Sequence, residues 1–282
     1  MYNYFERKEG AERDFYTDLA TERRRADTSS ESVDYKEKLC GVGIWSRVTV
    51  KNEEGERAVL RPIGTYDTLS LDRLDRYDEN GLSDLCEEVA KKLCTIFDEN
   101  GIFPGRILVA GFGNPNLTPD SVGPKSAARI KPTLHISEYD SELFESLFCS
   151  EIAVLCPSVP ALCGVDSSDL LRAVSERINP DVMIAVDSIM TSSVERLGST
   201  IQISSTGLFP GGMGNLHYPI TKNSMGCRVI GIGVPTVMDS RILGEKSSEE
   251  NLFISPREID EITNNAAYII GGAINQAFGL DL

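Results

Sequence analysis

Two aspartates at the ends of predicted strands are the residues of this chain best suited to carry chemistry. The apolar stretch 106–110 leads into a glycine-rich turn that ends in Thr118-Pro119-Asp120, and a second apolar stretch, 182–186, is followed at once by Asp187. In a parallel α/β sheet, ligands and reacting groups collect at the carboxyl ends of the strands. The two positions therefore predict a paired-carboxylate site, in which one acid activates water and the other donates a proton.

The surroundings of the two aspartates predict different protonation states. Threonine, proline and an acid in succession are typical of a helix start, and the helix dipole favours an ionised Asp120, which suits a base. Asp187 follows a buried strand, where burial and a nearby negative charge raise the pKa of a carboxyl group and favour an acid. From the residues alone, the alternative stays open that both aspartates only cap neighbouring loops.

The sequence has few of the residues that other kinds of active site require. A dinucleotide fingerprint beginning at Gly111-Phe112-Gly113 would need its third glycine at position 116, which is Asn116. The two histidines, His135 and His217, give a Ser–His or Cys–His pair little support. The seven cysteines include no Cys-x-x-Cys pair, and several lie in apolar runs, which favours reduced core thiols. We predict no metal and no cofactor.

Composition limits the class of protein. The 282 residues carry a net charge of −15, which argues against binding to nucleic acid through its phosphates. The longest apolar runs have the length of strands and are too short to span a bilayer. The charged N-terminus lacks the apolar core of a secretory signal. These features predict a cytoplasmic protein with no membrane and no nucleic-acid partner.

Strands alternate with helices from residue 106 onward, which predicts an α/β fold with a mostly parallel sheet and helices on both faces. Before it, residues 1–38 form a polar arm, and 48–51 with 58–61 predict a hairpin around Asn52-Glu-Glu-Gly55. The remaining predicted elements are strands at 106–112, 151–156, 182–187, 199–205 and 228–234, helices at 83–99 and 168–178, a short helical stretch at 188–197, and a C-terminal helix that begins at the capping box Ser255-Pro256-Arg257-Glu258.

The sequence resembles the germination proteases of spore-forming bacteria. The resemblance extends over nearly the whole chain, and its segments occur in the order typical of the family. They are Thr17-Asp18-Leu19-Ala20, Pro62-Ile-Gly64-Thr-Tyr66-Asp-Thr-Leu69, Gly113-Asn114 through Thr118-Pro119-Asp120 to Gly123-Pro124, Ala185-Val-Asp187-Ser, Ser193-Val-Glu195-Arg196, Thr200-Ile-Gln-Ile-Ser204-Ser-Thr-Gly207, Gly231-Ile-Gly-Val-Pro235-Thr236-Val-Met-Asp239 and Pro256-Arg-Glu-Ile-Asp260.

This resemblance implies an aspartic-type endopeptidase of the spore core or forespore cytoplasm, on the fold of the hydrogenase-maturation proteases. Its substrates would be small acid-soluble spore proteins, its assembly a homotetramer, and its catalytic residues Asp120 and Asp187. It further implies a zymogen that cuts its own Asp18–Leu19 bond, because the family cuts after an acidic residue that precedes an apolar residue and alanine. Residues 1–18 would then be a propeptide-like arm and 19–282 a single α/β protease domain.

The segments that carry the resemblance also supply the expected rim of the site: Gly113, Asn114, Thr118, Glu195, Arg196, Thr206, Gly207, Pro235, Thr236 and Asp239. Two segments depart from the pattern of better-known members. The link from Ser240 to Ser255 is short, and 211–218 lacks the usual basic residues. Two alternatives stay open: a divalent metal held by the two aspartates in a maturation-type protease, and a non-catalytic binding relative.

Overall fold

A nine-stranded sheet with helices on both faces forms the part of the chain that the computed structural model describes, residues 16–24, 29, 31–209, 218–243 and 252–280. The strands are β1 (Val33–Cys40), β2 (Gly43–Val50), β3 (Gly64–Ser70), β4 (Arg106–Gly111), β5 (Glu151–Leu155), β6 (Val182–Thr191), β7 (Thr200–Ser204), β8 (Arg228–Asp239) and β9 (Phe253–Ile254). The α-helices are α1 (Ala20–Arg23), α2 (Glu53–Val59), α3 (Glu79–Glu99), α4 (Val122–Ala127), α5 (Leu134–Tyr139), α6 (Ser141–Leu147), α7 (Pro160–Cys163), α8 (Ser167–Ile178), α9 (Lys222–Met225) and α10 (Ile259–Ala277).

The strands follow the order β1-β2-β3-β7-β8-β6-β4-β5, and β9 pairs with β8. Pairing is parallel among β5, β4, β6 and β8, and antiparallel from β8 through β7, β3 and β2 to β1. The predicted α/β fold is confirmed. Its parallel strands form the core, and the N-terminal hairpin β1–β2 extends the antiparallel side.

Helices α3 and α10 pack against each other and cover one face of the sheet. Leucines, a valine and an isoleucine at helical spacing give α3 an apolar stripe, and the Asp78 side chain caps its start by accepting the Gly81 N–H. On the opposite face, Leu171 of α8 joins the residues of β4 and β6 that point away from α3. The rest of that face is covered by α2 and the segment 16–24 (hereafter the N-terminal segment).

Strand β6 is longer than its sequence predicts. Residues 188–191 continue the strand instead of beginning a helix, because β8 pairs with β6 as far as Thr191, through an irregularity at Ile189 and Met190. Only Val194–Arg196 form a short 3₁₀ turn. Asp187 therefore lies inside a strand, with four further residues of β6 beyond it.

Several predicted helix and hairpin boundaries are wrong for local reasons. The predicted hairpin turn around Asn52 is instead the start of α2, because the Asn52 side chain accepts the Gly55 N–H and caps that helix. The hairpin is formed one strand earlier, by β1 and β2. Asp78, not Ser83, caps α3. Helix α10 begins at Ile259, and Ser255 Oγ donates to the carbonyl of Thr236 instead of capping that helix.

The prediction of free thiols is right, but the prediction that the cysteines lie in the core is only partly right. All seven cysteines are free thiols, but only Cys86 and Cys227 are buried, whereas Cys94, Cys156 and Cys163 are exposed. Within the described residues, no helix has the length and apolarity to cross a membrane.

Candidate active site

Asp120 lies in a 3₁₀ turn, Thr118–Asp120, between β4 and α4. The Asp120 N–H donates to the Leu117 carbonyl at 2.8 Å, and its Oδ2 accepts the Asn114 N–H at 2.8 Å. The carboxyl group is fixed and buried, with 1% of the residue exposed. The predicted capping role of Thr118 is wrong, because this turn has no side-chain cap and α4 begins only at Val122.

Glycines allow the turn to approach the sheet closely. Gly113 has φ +118°, and a Cβ atom on it would lie 2.0 Å from the Asp120 carbonyl oxygen. A Cβ on Gly123 would lie 2.1 Å from the Phe112 carbonyl oxygen and 2.5 Å from that of Val186. Larger residues at either position would push the turn away from β6, so these glycines determine how near Asp120 comes to Asp187.

Asp187 is also buried, with 7% of the residue exposed, and its Oδ1 accepts the Ser188 N–H at 2.8 Å. Burial raises the pKa of Asp187 well above its usual range, and the negative charges of Asp120 and Asp18 raise it further. The Asp120 charge thus disfavours a second negative charge on Asp187. The arrangement can hold one proton on Asp187 beside a second, acceptor carboxylate.

The N-terminal segment lies in the same site. Asp18 and Asp187 line one cavity of about 30 Å³, which has room for one or two water molecules. Its other walls come from strands β3, β6, β7 and β8, from the loop after β7 and from the turn after α2: Arg61, Tyr66, Ser188, Ile189, Gln202, Ser204, Gly207, Leu208, Phe209, Gly231 and Gly233.

Hydrogen bonds to the backbone of β6 and of Ser192, just after it, hold this segment beyond the end of β4. The Asp18 N–H donates to the Met190 carbonyl at 2.9 Å, and Asp18 Oδ2 accepts the Met190 N–H at 2.9 Å. Further along, Glu22 Oε2 accepts the Ser192 N–H at 2.7 Å. Leu19 and Ala20 are fully buried. The residues before α1 thus contact the end of a strand much as a bound peptide does.

The Asp18 side chain meets a cation and other donors. Arg61 Nη2 lies 3.2 Å from Asp18 Oδ1, and the Tyr16 hydroxyl donates to the same oxygen at 2.8 Å. Burial raises the pKa of Asp18, although the Arg61 charge opposes that shift. Among the described residues, Asp18 is the only carboxylate that forms an ion pair with Arg61.

Some of the predicted rim residues lie beside Asp120 or line the cavity, and others do not. Gly113 and Asn114 contact Asp120, and Gly207 lines the cavity. Thr206 contacts the Tyr66 hydroxyl, and the Pro235 carbonyl accepts the Gly198 N–H.

The other rim residues are engaged elsewhere. Glu195 is exposed and accepts from Ser193, whereas Arg196 lies 3.7 Å from Glu22 of the N-terminal segment. Thr236 is buried with its hydroxyl unpartnered, and Asp239 is held by Arg241.

Sequence reasoning missed Arg61, Gln202 and the backbone of Met190. Gln202 carried a weak signal, since it is a polar residue between the isoleucines of an apolar strand. Both segments that depart from the family pattern lie partly outside the described residues: 211–217, which includes His217, and the middle of the 240–255 link. Within the described residues, no group of three or more His, Cys, Asp or Glu side chains is arranged to hold a metal ion.

Comparison with known proteins gives the family of this chain. The sequence profile described as germination protease matches residues 11–249. A germination protease from Caldanaerobacter subterraneus subsp. tengcongensis is 34% identical over 93% of each chain, and one from Clostridium perfringens is 29% identical over 93% of this chain and 94% of its own. This chain therefore falls among the proteases, a class of hydrolases. It belongs to the germination protease family.

Among solved structures, a [NiFe] hydrogenase maturation protease, HycI from Thermococcus kodakarensis KOD1, aligns with a TM-score of 0.39 and 18% identity. The alignment covers 65% of this chain and 99% of that one.

Proposed function

We propose that this chain is an aspartic-type endopeptidase of the spore that is made as a zymogen and cuts its own Asp18–Leu19 bond. The observation that carries the proposal is the location of Asp18 in the cavity that Asp187 also lines. The residues on either side of the proposed bond are buried, and the negative charge of Asp18 is one of the causes that raise the pKa of Asp187. This location supports a segment of the chain itself as the first substrate.

The chemistry we propose uses one water molecule and the two aspartates. Asp120, as carboxylate, takes a proton from water, whose oxygen adds to the Asp18 carbonyl carbon. Asp187, whose raised pKa favours its protonated form, gives its proton to the Leu19 nitrogen as the C–N bond breaks. The products are a carboxylate at Asp18 and an amino terminus at Leu19.

The contacts of Asp18 support cleavage after an acidic residue. Its carboxylate is held by the Arg61 guanidinium and by the Met190 N–H, so a neutral side chain there would leave a buried cation without its partner. The same preference would select acidic–apolar–alanine sequences in other proteins. We propose small acid-soluble spore proteins in the spore core or forespore as those substrates, which the net charge of −15 would attract where they are basic.

Self-processing of the purified full-length chain tests the proposal. The chain is incubated from mildly acidic to neutral pH, with and without chelator, and new termini are identified by mass spectrometry. We expect a terminus at Leu19 that chelator does not prevent and that Asp120→Asn and Asp187→Asn abolish. The matched control is Asp181→Asn, because Asp181 lies at the opposite end of β6 and binds backbone N–H groups of Gly105 and Arg106.

Two results would overturn the mechanism. Cleavage that chelator stops and added metal restores would favour the metal-dependent alternative. Cleavage near the wild-type rate in both aspartate variants would exclude the Asp120/Asp187 pair. A recombinant small acid-soluble spore protein, added to the processed chain, tests the substrate: we expect cuts after acidic residues that precede an apolar residue and alanine.

We also propose a homotetramer, on the basis of family membership. Exposed apolar side chains on and beside α5 and α6, at Tyr139, Leu143, Leu147 and Phe148, offer surface for such an assembly. Sedimentation equilibrium should give about four times the chain mass of 30.9 kDa. A single-chain mass at micromolar concentration would refute the assembly and leave the catalytic proposal unaffected.

A further inference from the structure

Gln202 contacts the proposed scissile peptide on both sides. It is a buried residue of β7, and its Oε1 accepts the Ala20 N–H at 2.9 Å while its Nε2 donates to the Asp18 carbonyl at 3.2 Å. An N–H group only donates and a carbonyl only accepts, so these partners fix the orientation of the amide. The Asp18–Leu19 bond lies between the two contacts.

The sheet register aligns Gln202 with the carboxyl pair. Gln202 pairs with Gly233, and Gly233 pairs with Asp187, so the three residues form one row across β7, β8 and β6. Residues in register point to the same face, and two strand spacings separate the ends of the row by about 10 Å. Gly233 has no side chain and lines the cavity between them. The row thus has an amide donor at one end and a carboxyl group at the other.

Arg61 supplies a second donor to the same oxygen. Its Nε lies 3.4 Å from the Asp18 carbonyl oxygen, while its Nη2 contacts the Asp18 side chain. The carbonyl oxygen therefore faces a neutral amide and a cation, both on buried residues. Donors aimed at an oxygen that gains negative charge are worth more in such a site than in water.

We propose that Gln202 is a further catalytic residue of the self-processing reaction, an assignment that rests on the proposed function. Its Nε2–H, assisted by Arg61 Nε–H, stabilises the negative charge on the Asp18 carbonyl oxygen when water adds to the carbon and the C=O electron pair moves onto that oxygen. Collapse of this adduct restores the C=O and breaks the bond to the Leu19 nitrogen. The Oε1 contact with Ala20 holds the peptide in place throughout.

Substitution of Gln202 in the full-length chain tests the assignment. Gln202→Glu keeps an acceptor for the Ala20 N–H and loses the donor, whereas Gln202→Met loses both without adding charge. We expect the rate of appearance of the Leu19 terminus to fall by about 10²–10³-fold, the effect typical of losing one such donor. Hydrogen–deuterium exchange over residues 16–24 measures, in each variant, whether the N-terminal segment stays docked.

The matched control is Thr68→Val. Thr68 of β3 is paired with Gln202 and is fully buried, and its hydroxyl has no hydrogen-bond partner among the described residues, so the nearly isosteric valine should leave the rate unchanged. A rate loss of at least 100-fold in a variant whose segment stays as protected as in the wild type supports the catalytic role.

Two outcomes overturn the assignment alone: a rate within tenfold of wild type in either variant, or a rate loss fully accounted for by undocking of the segment. A wild-type chain that never produces the Leu19 terminus is a different result. It overturns the proposed self-processing, and the role of Gln202 falls with it.

Discussion

Replacement of Gly113 by alanine should disable the site while leaving the fold intact. The added Cβ would lie 2.0 Å from the Asp120 carbonyl oxygen. Non-bonded carbon and oxygen atoms come no nearer than about 3.3 Å, so the turn that holds Asp120 must move by more than about 1 Å. Because the Asp120 carboxyl is fixed through the adjacent Asn114 N–H, its position moves with the turn.

The magnitudes separate activity from stability. A displacement of about 1 Å at a reacting group costs on the order of 10²-fold in rate. The φ of +118° adds about 1–2 kcal/mol of backbone strain for any residue with a side chain. For 282 residues, an unfolding entropy of about 2.1 cal/mol/K per residue converts that strain to a loss of about 2–3 °C in melting temperature. The Gly113→Ala chain should therefore be folded and nearly inactive.

The assay is the rate of appearance of the Leu19 terminus, measured beside a thermal melt. Gly101→Ala is the matched control, because Gly101 has φ +58° and a Cβ atom there meets nothing within 4 Å. It should show a similar small loss of stability and full activity. If Gly113→Ala processes itself at more than a tenth of the wild-type rate, the close fit of the turn does not determine the position of Asp120 as argued.

Two further predictions concern stability. The raised pKa of Asp187 means that the folded chain binds that proton more tightly than the unfolded chain, so this contribution to stability is complete below the ordinary carboxyl pKa and is lost as pH rises through the folded value. Asp187→Asn should therefore raise the melting temperature more at pH 7 than at pH 4. An increase at pH 7 that is equal to or smaller than the increase at pH 4 would contradict this prediction. Asp67 is 1% exposed and bound by Arg47 and Lys92, so Asp67→Ala should lower the free energy of unfolding by about 3 kcal/mol in urea titrations. Glu99→Ala, which removes the exposed partner of Arg47, should cost under about 1 kcal/mol, and equal losses for the two variants would refute the distinction.

Local patterns in the sequence predicted those parts of the site that depend on local structure. The apolar stretches before Asp120 and Asp187 form β4 and β6, and parallel pairing of these strands brings the two aspartates to one region of the sheet. The effect of the Asp120 charge on the pKa of Asp187 follows from that topology. The sequence also shows the turn glycines at positions 111, 113 and 123. In the structure, a side chain at any of these positions would clash with neighbouring backbone.

The contacts between the site and the N-terminal segment were not predictable in this way. Arg61 and Gln202 reach the N-terminal segment across separations of 43 and 182 residues, and no local period encodes such pairs. The same limit explains the misplaced helix starts. Ser255 has the pattern of a cap, yet its hydroxyl binds the carbonyl of Thr236, which is distant in sequence.

The burial of Leu19 and Ala20 has a consequence for the chain after the proposed cleavage. Both residues are fully buried, and Ala20 packs among the valines of β1, β2 and α2, so hydrolysis of the preceding bond does not by itself remove them. A product that stays tethered beside its site competes with incoming substrate at an effective concentration of the order of millimolar. The processed chain would thus carry its own intramolecular product inhibitor. Its activity on other proteins would be governed by how readily residues 19–24 leave the sheet.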